Sequence, residues 1–255
     1  MRFFKRSTLR ERRLVKRDTG KVSILVCSPD FDRPLAKKCL ESIKAHTTGF
    51  EYELLLLENG KYGSFSHPEE INRAMDFARG EHFVTLDDDI EVTPGWLEAL
   101  LVHSAPDVGA VGCVNLNLQE GHKGSVRQVG GFVRKDGSVV SYNKNIDAPM
   151  LSPFVCSCCM LIVNREIKFP TIYNKYYHEA HYCLENWLAG KKIVVSPHKI
   201  YHFGGGTMES LGYSRSDIHA ISDRDRKVYV DYWNDNVAVD RLISKLKTQV
   251  PFDLK

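Results

Sequence analysis

Three consecutive aspartates stand directly after a short strand-like stretch. Residues 83–92 read FVTLDDDIEV, so Asp87, Asp88 and Asp89 follow four residues with strand character. Carboxylates packed this closely repel one another, and a folded protein tolerates them most easily around a cation. Their oxygens suit hard divalent cations, and a bound cation can stabilise negative charge that develops in a reaction. The sequence therefore predicts a metal site here, with a solvated acidic turn as the alternative.

The first hundred residues alternate between strand-like and helix-like segments. Continuous apolar runs predict strands buried on both faces of a parallel sheet, and apolar residues at spacings of three and four predict helices. The predicted strands are Lys21–Ser28, Glu51–Leu57 and Glu81–Leu86, and the predicted helices are Arg33–His46, Pro68–Arg79 and a helix through Trp96 and Leu101. This order indicates the α/β class, with a doubly wound, mainly parallel sheet.

Polar residues follow each of these three strands. Pro29 and Asp30 follow the first strand, Glu58 and Asn59 follow the second, and the aspartates follow the third. Ligands of doubly wound sheets bind at the carboxyl ends of the strands, which meet at one edge of the sheet. These residues are therefore expected to line a binding site, with turn or capping roles as the alternative.

The second half of the sequence is less regular. It contains further apolar runs, a hairpin signal at Asp136-Gly137 and a glycine-rich stretch. The predicted elements are strands at Val108–Asn115, Pro153–Asn164 and Lys192–Val195, the last followed by Pro197; a hairpin over Arg127–Val140; helices at His181–Ala189 and Asp223–Trp233; and a loop over Tyr201–Gly206.

The length and composition fit a single globular domain. The chain has 255 residues, of which 43% are hydrophobic and 26% are charged. No run of about 18 apolar residues exists, so no transmembrane helix is expected, and no apolar stretch of a secretory signal follows the N-terminus. The seven cysteines lack the spacing of a disulfide framework or a zinc site, which indicates buried free thiols and a cytoplasmic protein.

Positive charge is concentrated at the N-terminus. Residues 1–18 contain eight Lys or Arg against two acids, a net charge of +6, whereas the remainder has 27 basic and 30 acidic residues, a net charge of −3. We therefore predict a basic arm over residues 1–20, a domain over 21–240 divided into 21–115 and 116–240, and a tail over 241–255. Residues 1–17 suit peripheral contact with anionic lipid at the inner membrane face, with a solvated tail as the alternative. Nucleic acid is a less expected partner, because the basicity is not a property of the domain.

Several segments, taken in order, resemble a known enzyme family. VSILVCSPDFDRP, LLLLENG and NRAMDFARGEHFVTLDDD resemble the nucleotide-binding half of glycosyltransferases with the A-type fold, most like the inverting family 2. PFVCSCCMLIVNRE and YYHEAHYCLENWLAGKKIVVSPHKIYH resemble its acceptor half, and VYVDYW resembles its closing helix. The resemblance covers about residues 21–234 and includes the Asp-x-Asp motif of enzymes that use nucleotide-sugar donors.

The resemblance implies a donor site and a metal site. It implies that Asp87 faces the donor and ligates the metal, that Asp89 is the second carboxylate ligand, and that His202 completes the set. The metal would be Mn²⁺ or Mg²⁺, and the donor a UDP-, GDP- or dTDP-sugar. The residues expected to contact the nucleotide are Pro29, Asp30, Glu58, Asn59, Asn72, Asp87 and Asp88.

Glu179 is the candidate catalytic residue. Inverting transfer needs a carboxylate that removes the proton of the acceptor hydroxyl as the anomeric carbon is attacked. The family usually has Glu-Asp at the start of this helix, where the chain has His178-Glu179, so a longer side chain replaces the usual Asp. An acid that interacts with the helix dipole is the alternative for Glu179.

The predicted reaction is metal-dependent sugar transfer to a hydroxyl of a carbohydrate, lipid-linked or other acceptor, in polysaccharide or glycoconjugate synthesis. ENWLAGKKIVVSPHKIYH also resembles retaining polypeptide transferases, so retention is one alternative. A degenerate binding scaffold is another, which the intact aspartates disfavour. A sugar-nucleotide pyrophosphorylase is disfavoured because the loop CSPDFDRP lacks the glycines of that class.

Overall fold

The first half of the chain forms the parallel part of a large sheet. The computed structural model describes residues 2–5, 18–58, 66–134, 136–205, 207–208, 211–234 and 236–249. Strands β1 (Arg2–Lys5), β2 (Asp18–Ser28), β3 (Tyr52–Glu58) and β4 (Gly80–Asp87) lie in the order β1-β3-β2-β4, and all pair in parallel. The carboxyl ends of β2, β3 and β4 therefore meet at one edge, as the sequence predicts.

The second half extends the same sheet with mixed directions. The remaining strands of this sheet are β5 (Ile90–Glu91), β6 (Val108–Asn117), β7 (Val126–Gln128), β10 (Met150–Leu151), β11 (Cys159–Ile162) and β12 (Lys192–His202). The order continues β4-β11-β6-β12-β10, with β11 antiparallel to both of its neighbours. A hairpin of β8 (Gly130–Val133) and β9 (Val139–Tyr142) stands apart, as predicted. The doubly wound, mainly parallel α/β fold is confirmed.

Helices cover both faces of the sheet. The helices are α1 (Pro34–His46), α2 (His67–Phe77), α3 (Trp96–Leu101), α4 (His178–Leu188), α5 (Arg215–Trp233) and α6 (Val237–Gln249). Ile24 and Val26 of β2 pack with α1 and α3, whereas Leu25 and Cys27 pack with α2, α4 and α5. Both faces of β2 are buried, which explains its continuous apolar sequence.

Two strand predictions were wrong in extent. The predicted strand Pro153–Asn164 is a strand only over Cys159–Ile162, because residues 156 and 157 turn away to line a cavity. β12 continues past Val195 to His202. Pro197 and His198 bulge out of the ladder between the pairs made by Ser196 and Lys199, and pairing with β6 resumes after them. A bulge accommodates a proline that cannot donate a ladder hydrogen bond.

The last helices also differ from the prediction. α5 begins at Arg215 rather than Asp223, because Ser214 and Asp217 form a capping box, a signal present in the sequence SRSD. α6 spans the predicted boundary at residue 240. Strand β1 lies inside the predicted basic arm, and residues 6–17 lie outside the described part of the chain, so lipid contact stays a prediction.

The described residues include no helix that is both long and apolar enough to cross a bilayer. All seven cysteines are free, and six of them are buried, in agreement with their predicted packing role.

Candidate functional site

Two aspartates and a histidine form a cluster with the composition of a metal site. Asp87, Asp89 and His202 each offer a ligand atom, and these atoms lie within 4.8 Å of one another. Asp89 and His202 are buried, and the Asp89 Oδ1 to His202 Nε2 distance is 3.3 Å. Two carboxylates with one imidazole suit a divalent cation such as Mn²⁺ or Mg²⁺, whose remaining positions would be open to phosphate oxygens.

Strand pairing brings these three residues together. Asp87 ends β4, and Asp89 directly precedes the two-residue strand β5. β5 pairs with the end of β12, so that His202 lies opposite Ile90 and the N–H of Phe203 donates to the Asp89 carbonyl at 3.0 Å. The cluster therefore depends on the part of β12 that lies beyond its bulge.

The pKa values of the two metal-cluster aspartates are shifted in opposite directions. Burial, together with the charge of Asp89, raises the pKa of Asp87 to about 6. Burial also opposes ionisation of Asp89, but hydrogen bonds from His202 and from the Gly204 N–H, at 3.0 Å, bring the pKa of Asp89 below its ordinary value. A cation at this position would relieve the repulsion that Asp87 experiences.

Asp88 faces away from the cluster and is held by protein groups. Its carboxylate accepts hydrogen bonds of 2.6 Å from Ser28 Oγ, Arg33 Nη1 and Thr207 Oγ1. Successive side chains at a strand end point to opposite sides, so Asp87 and Asp89 share one side and Asp88 takes the other. Asp88 thereby ties the end of β2, the start of α1 and the segment after β12 to the aspartate turn.

Replacing Asp88 by Ala is expected to destabilise the fold. The side chains of Asp88 and Arg33 are 2% and 12% exposed, and removing one partner of a buried ion pair costs about 3 kcal/mol or more. Urea unfolding without metal measures this loss. Asp32→Ala is the control, because its side chain is 91% exposed and its loss should change the free energy of unfolding by less than about 0.5 kcal/mol. Equal stability of the two variants would contradict a structural role for Asp88.

A cavity of about 300 Å³ opens beside the metal cluster. Its wall combines residues from both halves of the chain, including Asp87, Asp89, Arg127, Lys175, Glu179 and His202. Acidic and basic groups thus face the same space. Gly204 allows Arg127 to lie close, because a Cβ at Gly204 would overlap the guanidinium group.

Glu179 has the properties of a proton acceptor. It is the second residue of α4, and its side chain is 18% exposed. Burial, supported by the negative charge of Asp87, raises the pKa of Glu179 to about 7, although the positive charge of Lys175 opposes this. Its Oε2 atom is buried and lies 3.2 Å from His178 Nδ1. A carboxylate with a pKa near neutrality can take a proton during a reaction.

Two buried imidazoles lie between Glu179 and the metal cluster. His67 Nε2 lies 3.6 Å from Asp87 Oδ1, and His67 Nδ1 lies 3.1 Å from His178 Nε2. Burial lowers the pKa of His67 well below its ordinary value and that of His178 to about 3, so both rings are neutral near pH 7. His67 lines the cavity, and neither ring adds charge to it.

Comparison with known proteins agrees with this geometry. Residues 66–168, about two fifths of the chain, match the family model described as Glycosyl transferase family 2. The chain is a glycosyltransferase with the A-type fold, most like family 2. The match includes the three aspartates and ends before Glu179, so the family model covers only part of this transferase's cavity. No curated protein matches the sequence.

Solved structures resemble the transferase in fold. S. aureus TarS gives a TM-score of 0.54 at 13% identity, over 90% of this chain and 43% of that chain. TarS 1-349 in complex with UDP gives 0.50 at 12% identity, over 89% and 70%. The mannosyltransferase PcManGT from Pyrobaculum calidifontis, in complex with GDP-Man and Mn²⁺, gives 0.49 at 13% identity, over 96% and 81%. The two TarS structures support the A-type fold.

The described cavity is not lined by five other residues predicted to contact the nucleotide, namely Pro29, Asp30, Glu58, Asn72 and Asp88. Asp30 Oδ1 accepts from the Asp32 N–H at 2.8 Å, which is a turn role, and Pro29 is buried beside it. Asn72 bonds the backbone of Phe169 through both ends of its amide, at 2.7 and 2.9 Å. Glu58 is exposed at the end of β3, and Asn59 lies outside the described residues.

Sequence reasoning missed several cavity residues of the transferase, three of which can carry charge. Lys175 lies in the irregular segment before α4, Arg127 lies on the short strand β7, and His67 is the first residue of α2. None belongs to a motif with fixed spacing. The sequence contains one weak indication that Arg127 has a special position, since it precedes the paired glycines at 130 and 131 in the predicted hairpin.

Proposed function

We propose that the chain transfers a sugar, with inversion, from a nucleotide-sugar to an acceptor hydroxyl. The observation that supports this most is one cavity lined by a metal-type cluster and by a carboxylate whose pKa is raised to about 7. The acceptor would be a carbohydrate, a lipid-linked sugar or another hydroxyl compound. Such transfer serves polysaccharide or glycoconjugate synthesis.

The acidic and basic residues of the cavity would have different roles in binding the metal and the donor. Asp87, Asp89 and His202 would hold Mn²⁺ or Mg²⁺, and the cation when bound would neutralise the departing diphosphate. Lys175 lowers the pKa of both Asp87 and Glu179 through its positive charge, which places it close enough to attract an anionic donor as well. Arg127 adds a second cation to the same wall.

Glu179 would take the proton of the attacking hydroxyl. Glu179 lines the same cavity as the metal ligands, so its carboxylate would be within reach of an acceptor bound there. A single displacement from the side opposite to the diphosphate inverts the anomeric centre. Inversion is therefore the stereochemistry that a base, rather than a nucleophile, at this position predicts.

The retaining alternative has less support. It needs a second carboxylate near the anomeric carbon, and the next acid on α4 is Glu185. Glu185 Oε1 lies 3.4 Å from His181 Nε2, its pKa is lowered by that hydrogen bond, and it does not line the cavity. An acid held outside the cavity cannot attack the donor.

Thermal shift with nucleotides tests the donor site. UDP, GDP and dTDP would each be added with and without Mn²⁺, and UDP is the first choice because the TarS 1-349 structure contains it. A ligand at 100 times its Kd stabilises the native state by about 2.7 kcal/mol, which raises Tm by a few degrees. We expect a shift for one diphosphate that needs Mn²⁺. No shift with any nucleotide would contradict the proposed donor site.

A further inference from the structure

A buried aspartate far along the chain holds the segment that leads into α4. Asp225 of α5 is fully buried. Its carboxylate accepts backbone hydrogen bonds from Asn174 at 3.0 Å and from Lys175 and Tyr176 at 2.9 Å each. Three consecutive N–H groups that converge on one carboxylate fix the backbone of this segment, since charge-assisted hydrogen bonds are among the stronger ones.

The fixed segment ends in a strained residue. Tyr177 precedes α4 with φ of 66°, a left-handed conformation that is unfavourable for residues other than glycine. Such a conformation persists only where the surroundings impose it. Asp225 imposes it through residues 174–176 on the N-terminal side of Tyr177.

Tyr177 is also held by the turn between β8 and β9, which α5 contacts. The hydroxyl of Tyr177 donates to the carbonyl of Gly137 at 2.9 Å, and Arg226 donates to the carbonyl of Asp136 at 2.8 Å. Two consecutive residues of α5, Asp225 and Arg226, therefore bond the two segments that hold Tyr177: its N-terminal neighbours and the turn that accepts its hydroxyl.

The same segment contacts the nucleotide-binding half. The N–H of His67 donates to the carbonyl of Asn174 at 2.9 Å, and Ser66 Oγ donates to the carbonyl of Tyr173 at 3.3 Å. The segment thus joins the start of α2 to the start of α4. Its position sets where Lys175 and Glu179 stand relative to Asp87.

We propose that Asp225 is a positioning residue for sugar transfer. It does not line the cavity, so it acts through the segment 174–177, which places Glu179 and Lys175 against the metal cluster. This inference rests on the proposed function, in which Glu179 is the base. A displacement of about 1 Å at a reacting group can cost about 10²-fold in rate, which is the size of effect that a loosened segment would produce.

The first test compares two substitutions of Asp225 with a control on the same helix. Asp225→Ala removes every acceptor, and kcat should fall about 10²-fold. Asp225→Asn keeps one carbonyl oxygen as an acceptor, so kcat should fall only about tenfold. The circular dichroism spectrum of this variant should be that of a folded protein. Asp231→Asn is the control, because Asp231 is an exposed partner of Lys227 on α5, and its kcat should stay within about twofold of the wild type.

A double-mutant cycle separates positioning from general stability. If Asp225 acts by placing Glu179, then Asp225→Asn should slow a Glu179→Gln enzyme by less than about threefold, because the group to be placed is already lost. A purely structural role would give the same loss in both backgrounds. Two results would overturn the inference about Asp225 but leave the proposed base intact. One is an equal loss of kcat in both backgrounds, and the other is a normal kcat in Asp225→Asn when Glu179→Gln is slow. Normal turnover in Glu179→Gln would overturn the proposed base and the inference together.

Discussion

Replacing Asp89 by Asn is expected to abolish sugar transfer while the fold is preserved. Asp89 supplies one of the two carboxylates of the metal cluster, and its Oδ2 accepts from the Gly204 N–H at 3.0 Å. An amide can keep that hydrogen bond through its oxygen but removes one negative charge from the site. Metal stabilisation of a departing group is worth several kcal/mol, so turnover should fall by about 10³-fold or more.

Two further measurements make this result specific to the metal. The Mn²⁺-dependent thermal shift with a nucleoside diphosphate should disappear in Asp89→Asn, since the cation links protein and phosphate. Asp107→Asn is the control, because Asp107 is an exposed acid paired with Lys192 at 2.7 Å, and its turnover should be unchanged. Full activity of Asp89→Asn, above all in EDTA, would rule out the proposed metal site.

Replacing Glu179 by Gln should slow the chemical step without weakening the donor complex. General-base catalysis contributes about 10²–10⁴-fold, so kcat should fall by that factor. The Kd for the nucleoside diphosphate with Mn²⁺ should change little, because the base acts only when the acceptor hydroxyl attacks. Glu185→Gln, on the same helix but outside the cavity, should keep normal kcat.

The pH dependence of kcat/KM in the wild type should show the ionisation of Glu179. The pKa of Glu179 is raised to about 7, and only the ionised form accepts a proton, so kcat/KM should rise with pH. The cation that transfer requires would offset the negative charge of Asp87, which contributes to the raised pKa, so half of the plateau should be reached somewhat below pH 7. The rising limb should vanish in Glu179→Gln, and its persistence there would assign it to another group.

The fold was largely predictable because its strands carry a simple signal. β2, β3 and β4 are buried on both faces, so their sequences are continuous apolar runs, and each ends at a turn or a charge. The predicted strand bounds were wrong where a segment does not pair as a regular strand. Residues 156 and 157 continue an apolar run but form a cavity wall, and Pro197 interrupts a strand that resumes after a bulge.

The candidate site was predictable only for residues that lie in recognisable sequence segments. Asp87, Asp89 and His202 could be grouped because the family resemblance implied this ligand set, and the structure brings their ligand atoms within 4.8 Å of one another. Lys175 and Asp225 could not be grouped with them, since they lie in an irregular segment and in a distant helix. Their roles come from backbone hydrogen bonds that no sequence pattern encodes.

An NMR time course of the donor with the enzyme tests the central claim most directly. Nucleotide-sugars that contain the diphosphate selected by thermal shift would be incubated with Mg²⁺, which, unlike Mn²⁺, does not broaden the signals, and with EDTA in a parallel sample. We expect the donor to be consumed only with the metal, and the first product to have the anomeric configuration opposite to that of the donor. A retained configuration, or equal consumption in EDTA, would contradict metal-dependent inverting transfer.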